Sequence, residues 1–121
     1  MIAVIDGKVN DSVEWVRGSD KTFNLILLND NGTLLDASAA STTVTIKIHL
    51  SPLKGGSTAS LTAATAVSDG SDGEFTFAIA DNQTSVEDLY VGVSRKIDVE
   101  LDLGAAGDVV IQNNEISLKV S

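Results

Sequence analysis

The sequence contains no cysteine, one proline and one histidine in 121 residues. The missing cysteine excludes disulfides and thiolate metal sites. The single histidine, His49, leaves little material for general-base or imidazole-metal chemistry. Aromatic residues are few: Trp15, Phe23, Phe75, Phe77 and Tyr90. A sugar-binding face needs aromatic platforms, and this chain has few to spare. Basic residues are also scarce, with eight Lys and Arg against seventeen Asp and Glu and a net charge of -9. That balance argues against nucleic acid and anionic membrane surfaces, which both select a basic footprint. It favours solubility.

No apolar run approaches the roughly 20 residues that a helix needs to cross a bilayer. The first residues, Met1-Ile2-Ala3-Val4-Ile5-Asp6-Gly7, lack a basic start and break at Asp6. They do not read as a signal peptide, so synthesis in the cytoplasm is expected. The length favours one domain spanning 1–121, with 1–10 as an N-terminal arm or an edge strand.

What is present is alternation. Val13 and Trp15 mark a strand near 12–17. Arg17-Gly18-Ser19-Asp20 is a turn, with Gly18 suited to a positive φ. The most apolar stretch follows. Phe23, Leu25 and Leu27 share one face, and Asn24, Ile26 and Leu28 share the other. Ile26 and Leu28 are therefore apolar on the supposed outer face, where another subunit or the N-terminal arm would lie. They are the candidate interface residues.

Asn29-Asp30-Asn31-Gly32 is a turn signal, leading to a short strand or extended piece at 33–36. Residues 37–42 read as loop. Val44, Ile46, Ile48 and Leu50 alternate with Thr43, Thr45, Lys47 and His49 in a half-buried antiparallel pattern that Pro52 stops. The Ala- and Thr-rich stretch 58–68 is read as strand, with helix as the alternative. Asp69-Gly70-Ser71-Asp72-Gly73 is a hairpin turn, followed by a strand carrying Phe75, Phe77 and Ile79. Residues 81–90 are the one helical candidate, with a capping-box spacing at Thr84-Ser85-Val86-Glu87. A long strand then places Ile97, Val99, Leu101 and Leu103 inward and Lys96, Asp98, Glu100 and Asp102 outward. Its partner carries Val109 and Ile111, breaks near 112–114, and resumes at Ile116, Leu118 and Val120. Seven to eight short strands at this spacing predict an all-β antiparallel sandwich with one short helix.

Catalytic chemistry has no foothold. No Gly-x-Ser-x-Gly, His-Glu-x-x-His or phosphate-cradling loop occurs, and His49 projects from a polar strand face beside Lys47. An enzyme is not expected, and neither is a cofactor or a resident metal. Asp98, Glu100 and Asp102 form a carboxylate row with steps of roughly 7 Å. Calcium would need Asp30 or Asp108 in addition, and a solvated outer face is the better account. Three Asn-x-Ser/Thr triplets, at 10–12, 31–33 and 82–84, read as turn chemistry.

The order of these pieces resembles the immunoglobulin-like β-sandwich domains of tailed-bacteriophage virion proteins, especially the N-terminal domains of baseplate upper proteins. The residues that carry the resemblance begin with Val16-Arg17-Gly18-Ser19-Asp20-Lys21-Thr22-Phe23, Asp30-Asn31-Gly32-Thr33-Leu34-Leu35-Asp36 and Val44-Thr45-Ile46-Lys47-Ile48. They continue with Asp72-Gly73-Glu74-Phe75-Thr76-Phe77, the segment 81–89 and Lys96-Ile97-Asp98-Val99-Glu100-Leu101. Asn113-Asn114-Glu115 departs from the family, which usually has a glycine there. The resemblance implies a structural virion component, a tail or baseplate module acting by assembly and docking. Its expected partners are other virion or tail proteins and further copies of itself, and its expected location is the virion. The alternative is a carbohydrate-binding or adhesin-like sandwich, calcium-assisted through Asp98, Glu100 and Asp102.

Overall fold

A computed structural model of the chain describes residues 2–9, 11–37, 43–49, 58–80, 91–92, 94–102, 108–111 and 116–121; at 43, 45–49, 58–61 and 108–111 it describes the backbone alone. These residues hold nine strands: β1 (Ile2–Ile5), β2 (Ser12–Trp15), β3 (Lys21–Leu28), β4 (Thr43–His49), β5 (Thr58–Ala66), β6 (Glu74–Ile79), β7 (Ser94–Asp102), β8 (Asp108–Ile111) and β9 (Ser117–Val120). The helix expected over 81–90 lies outside the described residues, as do residues 38–42, 50–57 and 103–107.

Alternation decides which side chains enter the core. In β3, Phe23, Leu25 and Leu27 are fully buried while Lys21, Thr22 and Asn24 are exposed. In β6, Phe75, Phe77 and Ile79 point inward. Complete burial of each such side chain contributes roughly 1.5–3 kcal/mol. Phe23 and Phe77 are directly opposed across the β3–β6 ladder, and their rings stack with centroids 5.1 Å apart. Val13 and Trp15 of β2, Ile97, Val99 and Leu101 of β7, and Leu118 and Val120 of β9 close the same cluster from the other side. The result is one core between two layers.

Hydrogen bonding links the strands in the order β1-β3-β6-β5-β4-β7-β9-β2, with β8 on β7. β1, β3, β6 and β5 take the places of the A, B, E and D strands of an immunoglobulin-like sandwich, and β4, β7 and β9 those of C, F and G. The fold is therefore all-β and immunoglobulin-like, as the residue pattern predicts. β5 joins the layers, pairing with β4 along most of its length and with β6 through Thr65 and Ala66. The stretch 58–66 is thus strand, because its neighbours on both sides supply ladder partners that override alanine's preference for helix.

Two open alternatives are decided and one local expectation changes. The N-terminal residues form an edge strand, with Ala3 and Ile5 fully buried and β1 antiparallel to β3. The segment 33–36 is not a strand: Leu34 makes one bridge to Leu28, and the Leu35 amide donates to the Leu27 carbonyl at 2.9 Å. One pair is parallel, β2 with β9, from Ser12 opposite Ser117 to Trp15 opposite Val120. The chain leaves β1 through Asp6 and Gly7, crosses to the other layer and keeps its direction there. β8 and β9 share one edge of β7 as two short strands, and the break expected near 112–114 lies outside the described residues.

Turn chemistry follows the sequence. Gly18 has φ 88° and Gly32 has φ 87°. Ser19 closes the first turn, its amide and hydroxyl both donating to the Val16 carbonyl at 3.1 and 2.6 Å.

Candidate functional site

Ile26 and Leu28 both lie on the outer face of β3 and are half-buried. The N-terminal strand does not lie over them; it pairs beside them. Val4 is opposite Ile26 and Ile2 is opposite Leu28, and both are half-buried. Directly opposed side chains in an antiparallel pair sit about 5 Å apart, so the four form one apolar strip. Leu34, 52 % exposed, bridges to Leu28 at one end. On the β6 side, a cavity of about 250 Å³ is lined by Ile26, Val67, Phe75, Asn24, Leu25 and Glu74. Val67 is 59 % exposed there. The apolar strip spans β1 and β3; on β6 the residue in register with Ile26 is Glu74, which separates it from Val67. Ile2 and Val4 were missed as members because their alternation alone cannot tell a lone arm from a paired strand.

The other singled-out residues do not come together. Asp98, Glu100 and Asp102 do not form a solvated row. Asp98 is only 4 % exposed, and Glu100 and Asp102 are half-buried. β7 is an interior strand of its layer, flanked by β4 on one edge and by β8 and β9 on the other. Asp98 stands in register with Lys47, and each of the three residues is engaged in an interaction. Among the described residues no group of three or more His, Cys, Asp or Glu is placed to hold a metal ion. Arg17-Gly18-Ser19-Asp20 is a turn whose Ser19 carbonyl accepts the Trp15 indole N–H at 3.0 Å. Asn31 shapes the 29–33 turn, its side-chain oxygen accepting the Thr33 amide at 3.1 Å and hydroxyl at 2.7 Å. In the β5–β6 turn the Ser71 hydroxyl and amide both donate to the Asp69 carboxylate, at 2.6 and 2.9 Å, and hold its pKa below the ordinary value.

A second, polar cleft of about 500 Å³ opens where the chain crosses between layers, lined by Asp6, Lys8, Asp11, Glu14, Lys21 and Lys119 among others. Its charges are matched. Lys21 lies 3.7 Å from Asp6, and Lys119 lies 3.9 Å from Glu14. Lys8 and Lys21 also reach backbone carbonyls of β2. No signal in the sequence pointed to this cleft, because three separate segments build it.

What these features define is an immunoglobulin-like sandwich with an apolar outer strip. No protein-family model matches the chain, and no curated protein matches it significantly. Among solved structures, the crystal structure of the RIG-5 IG1 homodimer is similar over 100% of this chain and 99% of that one, with a TM-score of 0.45 and 13% identity. The fold assignment rests on the strand order.

Proposed function

We propose that this chain is a non-enzymatic structural component of a phage virion, a tail or baseplate module that works by assembly and docking. The observation that carries the assembly part is the apolar strip Ile2, Val4, Ile26 and Leu28 on an outer sheet face. Apolar side chains at matched register on a solvent-side face are what an interface uses. The virion part rests on the resemblance of the motif order to phage tail domains. The partners are further copies of the chain and neighbouring tail proteins. Trp15, Phe23, Phe75 and Phe77 are all buried, so none of them is available to stack on a sugar ring, and this favours assembly over glycan binding.

Two measurements test the reading. Sedimentation velocity over a hundredfold concentration range should show an oligomer that Ile26→Ser with Leu28→Ser reduces to monomer. Mass spectrometry of purified particles from cultures carrying the gene should detect the chain in stoichiometric amount. A wild-type monomer at every concentration, together with absence from the particles, refutes the proposal.

A further inference from the structure

β2 ends its side of the hydrogen-bonded strand order, so one of its edges faces β9 and, among the described residues, the other has no strand beside it. An open edge of this kind is a template for pairing with another chain. The ladder to β9 identifies which backbone groups lie on it. The Asp11 carbonyl accepts from the Ser117 amide, the Trp15 carbonyl accepts from the Ser121 amide, and the Arg17 amide donates to the Ser121 carbonyl. Successive residues alternate between edges, so Ser12, Glu14 and Val16 turn their backbone groups outward.

All three outward carbonyls are occupied by groups of the same chain. The Lys8 ammonium donates to the Ser12 carbonyl at 3.1 Å. The Lys21 ammonium donates to the Glu14 carbonyl at 3.1 Å. The Val16 carbonyl accepts from the Ser19 amide and hydroxyl. The third cap belongs to a tight turn, but the first two are long side chains from elsewhere. Lys8 lies in the segment that crosses from β1 to β2, four residues before Ser12, and Lys21 opens β3 in the opposite layer. They cross the polar cleft to reach β2. Asp6 lies 3.7 Å from Lys21 and helps to hold it there.

We propose that Lys8 and Lys21 are straps that close the outer edge of β2 to strand addition by a second copy of this chain. A strand arriving on that edge must donate N–H groups to the carbonyls of Ser12 and Glu14, and the two ammonium groups already fill those positions. They also place fixed charge where an incoming backbone would run. Assembly of the folded molecule is thereby directed to its other surfaces.

The test uses the full chain with Lys8→Gln and Lys21→Gln together. Removing two positive charges takes the net charge from -9 to -11, so general electrostatics opposes any new association. Sedimentation velocity is compared with wild type at equal concentrations, which separates new association from any made through Ile26 and Leu28. The double variant is expected to reach at least twice the wild-type mass at the highest concentration. Adding Glu14→Pro removes an outward N–H and leaves the β9 ladder intact; it is expected to return the mass to the wild-type value. Three results overturn the proposal: wild-type mass for the double variant throughout, association that survives Glu14→Pro, or a double variant unfolded by near-ultraviolet circular dichroism. The last would make the lysines stitches that hold the layers together instead of a cover on one edge.

Discussion

Replacing Gly73 by alanine probes the most crowded of the described glycines. Gly73 has φ 68°, a region that costs an L-residue roughly 1 kcal/mol or more. A Cβ built there would meet the Leu27 carbonyl oxygen at 2.5 Å and the Leu35 carbonyl oxygen at 2.9 Å. Neither atom can swing aside as a side-chain tip would. The Leu27 amide donates to the Gly73 carbonyl and the Leu35 amide donates to the Leu27 carbonyl, both at 2.9 Å. Making room strains both bonds, and overpacking of this kind costs about 2 kcal/mol. The expected loss is therefore about 3 kcal/mol, or a fall in Tm of about 12 °C for a domain of this size. Gly32→Ala is the control. Its φ is 87° and nothing lies within 4 Å of the added Cβ, so its loss should be about 1 kcal/mol. The smaller unfolded-state entropy of alanine enters both variants and cancels in their difference. Urea unfolding followed by circular dichroism measures the gap, read at unchanged slope so that only stability has moved. A Gly73→Ala variant within about 0.5 kcal/mol of Gly32→Ala, well inside the gap expected from overpacking, would show that the junction of β3, the 33–36 segment and the β5–β6 turn relaxes freely.

Two further expectations follow from single residues. Trp15 is fully buried and donates its indole N–H to Ser19, so Trp15→Ala should lose about 4 kcal/mol in urea unfolding. A loss below about 1 kcal/mol would place the residue outside the cooperative core. Asp69 titrates below its ordinary value because Ser71 donates two hydrogen bonds to its ionised form. A folded pKa below the unfolded one makes the carboxylate stabilising above the unfolded pKa, and that contribution is lost as the pH falls through the folded pKa. NMR titration should show the depressed midpoint, and Ser71→Ala should raise it toward the ordinary value. An unchanged midpoint in that variant would assign the shift to another cause.

Much of this fold is written locally. The buried faces of β3, β6 and β7 follow from the alternation of Phe23, Leu25 and Leu27, of Phe75, Phe77 and Ile79, and of Ile97, Val99 and Leu101. The turns at Gly18, Gly32 and 69–73 follow from residues that tolerate positive φ or cap their own backbone. Such features need only a few neighbours in sequence, and short-range chemistry decides them.

What the tertiary structure alone decided is everything that depends on who lies beside whom. Ile26 and Leu28 were visible as apolar residues on the wrong face, but Ile2 and Val4 joined them only when β1 paired with β3. Asp98 alternates with Lys96, Glu100 and Asp102 as an outward residue would, yet it is buried and they are half-buried once β7 takes an interior place in its layer. β2 runs parallel to β9 although their residues stand about a hundred positions apart in the chain, as in the Ser12–Ser117 hydroxyl pair with a separation of 105. Lys8 and Lys21 read as ordinary surface charges until the crossing of the chain brings them to the carbonyls of β2. Residue pattern specifies which face of a strand is apolar, because that depends on a side-chain period of two. The pairing of strands depends on closing long loops around a shared core, and only the assembled sandwich settles it.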